Sequence, residues 1–170
     1  MLHGMLDRGF ERLFARHAQG LFAFLVYRTG DRELAEDIAA DTFEKILSGR
    51  AKFDPRRGRQ KAWLYTIALN CLRDHARHQA VEEHARELVL AGGAPEVAPS
   101  WDEHFAEHDA LMAAMRTLSP GERAVVALRF GADLPVAEIA GLLDQPLPRI
   151  RNRLYRALGK LRLALEAEEI

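Results

Sequence analysis

The sequence predicts an all-α protein made of two small helical domains joined by a flexible linker. Apolar residues recur every three or four positions in most segments, as amphipathic helices require. No stretch alternates apolar and polar residues in the manner of a half-buried strand. Small residues and two prolines interrupt the helical pattern near the middle of the 170 residues. We therefore place the first domain at residues 1–87, the linker at 88–101 and the second domain at 102–170.

Composition limits the classes of protein that fit. Apolar residues make up 48% of the chain, which is enough for a packed core. The formal net charge is −1, but the charged residues are sorted into blocks. Cys71 is the only cysteine, so no disulfide can form within the chain, which suits a reducing compartment. Because no apolar run is long enough for a signal peptide or a membrane span, we expect a cytoplasmic protein with no membrane insertion.

Three helices are predicted in the first domain. The apolar pattern of residues 10–25 predicts the first of them. Gly30 stops this pattern, and Asp31 is the predicted N-cap of a second helix that runs to Leu47. A loop with glycine and proline breakers follows, and the third helix continues to about His84.

Four shorter helices are predicted in the second domain. The second of them begins at residues 119–122 (Ser-Pro-Gly-Glu), which read as an N-cap, a first-turn proline and the glutamate of a capping box. A short helix over about residues 136–143 is followed by a turn and by a long helix from Pro148 to about Glu166. Short helix, turn and long basic helix have the outline of a helix-turn-helix unit.

The last helix carries the strongest charge bias of the chain. No acidic residue lies between Pro146 and Leu165, and the basic residues there are Arg149, Arg151, Arg153, Arg156, Lys160 and Arg162. A run of charges is commonly a solvated surface, but here no carboxylate is interleaved within the run at four-residue spacing to offset the repulsion. Arginine can grip phosphates and read guanine edges, so the pattern favours contact with DNA.

Two other blocks of charged residues lie in the first domain, one basic and one acidic. The loop and the start of the third helix hold Arg50, Lys52, Arg56, Arg57, Arg59 and Lys61. Aromatic residues follow directly, a combination typical of single-stranded DNA binding, although Trp63 reads as a core residue and Tyr65 stays open. The second helix is acidic through Asp31, Glu33, Glu36, Asp37, Asp41 and Glu44. Such a face is most often plain surface, but it can also dock on a basic protein.

These motifs, in this order, resemble the extracytoplasmic-function group of bacterial sigma factors over nearly the whole chain. In the first domain the resemblance rests on Phe10-Glu11-Arg12-Leu13-Phe14, Ala35-Glu36-Asp37-Ile38, Phe53-Asp54-Pro55, Ala62-Trp63-Leu64-Tyr65, Asn70 and Arg73-Asp74-His75. In the second domain it rests on Leu118-Ser119-Pro120, Glu138-Ile139-Ala140, Arg153-Leu154 and Arg156-Ala157-Leu158.

The resemblance implies a transcription initiation factor that directs core RNA polymerase to promoters and has no chemistry, cofactor or metal site of its own. The clamp helices of the largest polymerase subunit would bind Glu36, Asp37, Asp41 and Glu44, and the flap of the second-largest subunit is a further partner. The −10 element would be bound and opened by Arg57, Arg59, Gln60, Lys61, Tyr65, Ile67 and Asn70. The −35 element would be read by Arg149, Arg151, Asn152, Arg153 and Arg156. An anti-sigma factor is also implied, and it could hold the protein near the membrane.

Five positions depart from the pattern of the family. Gln60 stands where an aromatic residue is usual, and Thr66 and Leu69 stand where basic residues are usual. Pro135 occupies the place of a serine cap, and Pro148 opens a segment that usually reads Gly-Thr-Val. These changes bear on the promoter preference more than on the fold.

Three other classes of protein account for the sequence less well than a sigma factor does. A free-standing helix-turn-helix regulator explains only the second half of the chain. A sigma mimic that sequesters an anti-sigma factor need not keep the basic last helix. An enzyme has little support, because His104 and His108 lack a third metal ligand and no phosphate loop or nucleophile motif is present. A redox role for Cys71 stays open.

Overall fold

The computed structural model describes residues 2–89 and 109–168, with side chains described within 8–82 and 110–167. This part of the chain is built from helices and contains no strand, so the predicted all-α class is confirmed. Its α-helices are α1 (Leu2–Thr29), α2 (Arg32–Leu47), α3 (Gln60–Val89), α4 (Asp109–Arg116), α5 (Pro120–Val126), α6 (Val136–Leu142) and α7 (Leu147–Glu168).

The boundary between the predicted domains falls almost wholly outside the described residues. α3 continues to Val89, five residues past its predicted end near His84. The predicted linker, residues 88–101, lies outside the described part of the chain except for its first two residues, which belong to α3. The division at residues 87 and 102 therefore stays a prediction.

The junction of α1 and α2 is a tight, fully capped turn. Gly30 ends α1 with a φ of 70°, a left-handed conformation that residues with a β-carbon rarely adopt. The hydroxyl of Thr29 donates to the carbonyl of Leu25 at 2.8 Å and accepts from the backbone N–H of Asp31 at 3.1 Å. Asp31 in turn accepts from the N–H of Leu34 at 3.1 Å, so the predicted stop and N-cap are both confirmed.

The start of α5 is the predicted capping box. The Ser119 hydroxyl accepts from the backbone N–H of Glu122 at 3.3 Å, and a Glu122 carboxylate oxygen accepts from the N–H of Ser119 at 2.9 Å. After Val126 the helix widens into a π-helical turn, Ala127–Gly131, in which the N–H of Ala132 donates to the carbonyl of Ala127 at 2.9 Å. The helical segment that begins at Pro120 therefore ends at Gly131.

The segment from α6 to α7 confirms the predicted helix-turn-helix outline. Asp144 lies in the turn with a φ of 51°, and the N–H of Gln145 donates to the carbonyl of Ala140 at 3.0 Å. Ile139 of α6 and Ile150 of α7 are completely buried in the core that the two helices share with α5. Pro135 precedes α6 in extended conformation and provides no side-chain cap.

The two helical units pack against each other along α1, which the sequence did not predict. A β-carbon placed on Gly131 would lie 3.5 Å from the Cα atom of Phe24 and 3.6 Å from the ring of Tyr27. The buried residues of both units consequently form one continuous apolar core. Arg59 and Glu138 make a second contact between the units, between the loop that precedes α3 and α6.

Candidate nucleic-acid interface

The C-terminal helix α7 has one buried face and one basic face. Its apolar stripe, which is Ile150, Leu154, Ala157 and Leu161, is at most 8% exposed. On a helix of 3.6 residues per turn, positions 152 and 156 lie opposite that stripe. Asn152 and Arg156 are exposed there, and Arg149 and Arg151 are exposed at the start of the same helix. The structure therefore brings four of the five predicted −35 residues onto one accessible surface.

Arg153 differs from its neighbours on α7. It is only partly exposed, and its guanidinium lies 3.4 Å from the position that a β-carbon on Gly121 would take. The side chain therefore packs over the start of α5, at the flank of the basic face. A β-carbon at position 121 would be in van der Waals contact with this guanidinium.

An ion pair between half-exposed Lys160 and buried Glu122 joins α7 to α5. Lys160 of α7 donates to a carboxylate oxygen of Glu122 at 2.8 Å, and the Glu122 side chain is 8% exposed. The pKa of Glu122 is lowered from its usual 4.5 to about 2, chiefly by the Lys160 ammonium. The backbone N–H and the hydroxyl of Ser119 lower it further. The capping glutamate thus also holds the helix that carries the basic face.

Replacing Glu122 with glutamine is expected to lower the free energy of unfolding at neutral pH by about 2 kcal/mol. The folded-state pKa lies below the unfolded one, so this contribution is complete above pH 4.5 and is lost as the pH falls to about 2. The difference between wild type and variant should therefore shrink over that window. Urea unfolding at several pH values measures it, with Glu36→Gln, in an exposed ion pair, as the control. A pH-independent difference would contradict the assignment.

Tyr155 is a candidate DNA contact that the sequence analysis did not single out. Its side chain is 65% exposed on α7 and stands one turn after Arg151, beside Arg156. A large aromatic residue so exposed on a basic face has apolar surface with which to contact bases. The sequence could have indicated this exposure, because Tyr155 lies outside the apolar stripe of the last helix.

The loop before α3 forms a second basic surface. A short 3-10 helix, Pro55–Arg57, is capped by Asp54, whose carboxylate accepts from the N–H of Arg56 at 3.0 Å. Arg57, Arg59 and Gln60 are exposed around it, and Lys61 is partly exposed. Most of the predicted −10 residues are therefore on one accessible loop and helix start.

Asn70 is exposed two to three turns further along α3. Its side-chain oxygen accepts from a guanidinium nitrogen of Arg73 at 3.0 Å. The amide NH₂ group remains exposed with the residue, so it can donate to another group.

Two predicted −10 residues do not reach this surface. Tyr65 is 1% exposed, and its ring lies edge-on to Phe24 with 5.1 Å between the ring centroids. Burial raises the pKa of its phenol to about 12. Ile67 is 8% exposed. Both side chains belong to the core, because α3 is enclosed by α1 and α2 on that side, so we correct their assignment as direct DNA contacts.

A cavity of about 630 Å³ lies between the basic loop and α6. Phe53, Arg59, Trp63 and Thr66 are among the residues on one side of it, and Glu138 is among those on the other. The rings of Phe53 and Trp63 pack together with 5.3 Å between their centroids, so Trp63 has the structural role predicted for it. Arg59 donates to Glu138 at 3.0 Å across the edge of the cavity.

The acidic face of α2 is exposed as predicted. Asp37, Asp41 and Glu44 follow one another at helical spacing, and all three are exposed. Glu36 is also exposed and accepts from Arg32 at 3.2 Å. This face and the basic face of α7 lie on different helices of different units, so the chain offers two surfaces of opposite charge.

Comparison with known proteins assigns the chain to a family. The family profile of Sigma-70 region 2 matches residues 13–81, and that of Sigma-70 region 4 matches residues 114–163. The chain is 33% identical to the RNA polymerase sigma factor CarQ of Myxococcus xanthus over 95% of its own length and 91% of that protein. It is 31% identical to the ECF RNA polymerase sigma factor BldN of Streptomyces coelicolor, over 89% of its own length and 58% of that protein.

The chain belongs to the extracytoplasmic-function sigma factors of RNA polymerase. As such it is a transcription initiation factor that directs the polymerase to promoters. Two solved structures have the same fold. A sigma factor RpoE in complex with the anti-sigma factor NepR from Bartonella quintana superposes with a TM-score of 0.74 at 21% identity, over 94% of this chain and 98% of that chain. CnrH in complex with the cytosolic domain of CnrY gives 0.66 at 25% identity, over 98% and 96%.

Within residues 2–89 and 109–168, the sigma factor has no helix that is both long and apolar enough to span a membrane.

Proposed function

We propose that this sigma factor recognises the −35 element of its promoters by placing α7 in the major groove of duplex DNA. Arg149, Arg151, Asn152 and Arg156 lie on the accessible side of that helix. Arginine pairs with guanine edges and asparagine with adenine edges in this groove, which is wide enough for one helix. Arg153, at the flank of the face, is placed to contact a phosphate.

The −10 element is bound as a single strand by the basic loop and the first turns of α3. Arg57, Arg59, Gln60 and Lys61 would follow the DNA backbone. The amide of Asn70 can donate and accept, and it would pair with the edge of an unpaired base. Holding such a base offsets part of its unstacking cost, so the duplex is opened without catalysis by the sigma factor.

The observation that carries the proposal is the separation of charge on the exposed faces. α7 presents arginines with no carboxylate before Glu166, whereas α2 presents a row of carboxylates. The phosphates of DNA would be attracted to the first face and repelled by the second. The two faces therefore fit two different partners, promoter DNA and a basic surface of a protein.

The acidic face of α2 is the docking surface for core RNA polymerase. Glu36, Asp37, Asp41 and Glu44 would contact the clamp helices of the largest subunit, with the flap of the second-largest subunit as a further contact. Complementary charge of this kind mainly raises the association rate and fixes the orientation of docking.

An anti-sigma factor is the proposed regulatory partner. An apolar groove of about 620 Å³ runs between α1, α4, α5 and α7, with Tyr27, Met115, Phe130 and Leu161 among its lining residues. Phe130 is 58% exposed there. A groove lined by apolar and aromatic side chains can accept an apolar segment of a protein partner. Both solved relatives hold an anti-sigma factor, which supports a partner of this type. We place the protein in the cytoplasm, with no catalytic activity of its own.

Run-off transcription tests the proposal. Core RNA polymerase, the purified chain and fragments of the source genome, including the upstream region of its own gene, are combined. Discrete transcripts that depend on the chain are the expected result. Binding to core polymerase without any transcript would indicate that DNA recognition is degenerate, and failure to bind core polymerase would contradict the proposed role of α2.

Asn70→Ala is expected to reduce promoter opening about tenfold, because the hydrogen bonds to one base are worth about 1 to 2 kcal/mol. Permanganate reactivity of unpaired thymines on the promoter found above measures it. Gln79→Ala is the matched control, since it removes an exposed amide from the same helix outside the basic cluster. Equal promoter opening by both variants would show that Asn70 does not contact the −10 strand.

A further inference from the structure

The N-terminal half of α1, which has no part in the proposed function, carries an arginine line made of Arg8, Arg12 and Arg16. These residues are spaced by four positions, so their side chains follow one another on one face of the helix about 6 Å apart. All three are exposed. Arg12 donates to the carbonyl of Arg8 at 3.2 Å, and within the described residues none of the three makes an ion pair. Like charges at this spacing repel one another, and a bound anion would relieve that repulsion.

The arginine line lies on the side of α1 that is turned away from α2. Phe14 packs against Phe43 of α2 with 4.9 Å between the ring centroids. Phe14 stands two residues from Arg12 and two from Arg16, which is about 200° around the helix. The carboxylates of α2 are therefore not placed to neutralise the line.

The helices α1 and α3 are in contact close to the end of the line. The rings of Tyr65 and Phe24 lie with 5.1 Å between their centroids, and a β-carbon on Gly20 would lie 3.5 Å from the Tyr65 hydroxyl oxygen. Lys61 stands one turn before Tyr65 on α3, and His17 stands about one turn before Gly20 on α1. The packing of the two helices therefore brings Lys61 and His17 to the same place.

The charges around His17 agree with this placement. Burial lowers the pKa of His17 most, and the positive charges of Lys61 and Arg16 lower it further. Lys61 is the last residue of the basic loop, which is residues 50–61. Positive charge is therefore continuous from the basic loop over Arg16 to the rest of the arginine line.

We propose that the arginine line extends the −10 surface and holds the sugar–phosphate backbone of the single DNA strand beyond the bases that the loop binds. This extension rests on the proposed −10 role of the basic loop. Exposed arginines in one row on a helix can bind successive phosphates, but they form no pocket that could read a base. Their contribution is therefore independent of base sequence and dependent on salt.

Binding of labelled oligothymidines of about 6 and about 18 nucleotides to the full chain tests the extension. Arg12→Gln with Arg16→Gln should weaken binding of the longer strand about tenfold and lower its salt slope by about 1.4 units, since each phosphate contact contributes about 0.7. Binding of the shorter strand, which the loop alone can hold, should stay within about twofold of wild type.

Arg129→Gln with Arg162→Gln is the matched control for this experiment. It removes the same charge, but from side chains that donate to Asp133 and to Glu166 in other helices. The control should bind both strands within about twofold of wild type.

A photo-cross-linker on a single cysteine identifies the partner in the complete initiation complex. Gln19→Cys, in a chain with Cys71→Ala, places the cross-linker on the exposed side of α1 one turn from Arg16. With core RNA polymerase at a promoter it should label the non-template DNA strand next to the −10 element. Ala40→Cys, exposed among the carboxylates of α2, is the control and should label a polymerase subunit instead.

The possible results distinguish failure of the extension from failure of the −10 role. Equal losses of affinity for the line variant and the control variant, or cross-links from Gln19→Cys to protein alone, would overturn the extension and leave the −10 role intact. If neither oligothymidine binds, or if Arg57→Gln leaves both affinities unchanged, the −10 role fails and the extension with it. A loss confined to the longer strand, together with cross-links to DNA, would support both.

Discussion

Replacing Phe24 with alanine is expected to lower the free energy of unfolding by about 3 to 5 kcal/mol. Phe24 is completely buried at the point where three parts of the molecule meet. Its ring lies edge-on to Tyr65 of α3, and its Cα lies against Gly131 of the second unit. Truncation keeps the Cα that faces Gly131 but removes the ring from its contact with Tyr65, and it leaves a cavity between packed helices that cannot fully collapse.

Phe14→Ala is the matched control for this substitution. Phe14 is also an α1 phenylalanine with an aromatic neighbour, Phe43, at 4.9 Å, but its side chain is 47% exposed. Its truncation should cost about 1 kcal/mol, since nearly half of the side chain already faces water and less apolar area is lost from the core. Urea unfolding followed by circular dichroism measures both variants. Similar losses for the two would show that the packing around Phe24 is not the centre of the core.

Replacing Arg149 and Arg156 together with glutamine is expected to reduce affinity for duplex −35 DNA about a hundredfold at physiological salt. Each arginine contact to a base or phosphate is worth about 1 to 3 kcal/mol. The slope of the salt dependence falls by about one unit for each of the two that contacts a phosphate. Fluorescence anisotropy with the promoter duplex, at several salt concentrations, measures the affinity and the slope.

A second double variant provides the control for that experiment. Arg129→Gln with Arg162→Gln removes the same charge, but these side chains donate to Asp133 at 3.3 Å and to Glu166 at 2.7 Å rather than standing on the proposed DNA face. The control should keep DNA affinity within about threefold of wild type. If both double variants lose affinity equally, the binding depends on net charge and not on the surface of α7 assigned to the −35 element.

Local features of the sequence predicted the helices and their ends. Gly30 with Asp31, and Ser119 with Glu122, act within one turn of the backbone, so their effect on helix boundaries can be read without tertiary structure. The same is true of the amphipathic pattern of α7, which correctly separated its apolar stripe from its basic residues. α3 continues to Val89, past its predicted end near His84, because residues 84–89 contain no helix-breaking proline or glycine.

The candidate site was only partly predictable. Tyr65 follows a basic loop, as a base-stacking residue would, yet it lies in the core. Leu64 and Tyr65 are adjacent in the sequence and point to different sides of α3. Both are buried, because other helices cover α3 on more than one side. The predicted −35 residue Arg153 is only partly exposed for a related reason, since the start of α5 covers one flank of α7, whereas Tyr155 is exposed.

The sequence by itself determined the helical class, the caps, the charge of each face and the family to which the chain belongs. These properties depend on residues within a few turns of one another, or on motifs in a fixed order. Only the tertiary structure decided which residues of the basic regions reach solvent. It alone also showed the ion pair between Arg59 of the first helical unit and Glu138 of the second. Such contacts join residues far apart in the chain, and no local pattern encodes them, because their formation depends on how whole helices pack.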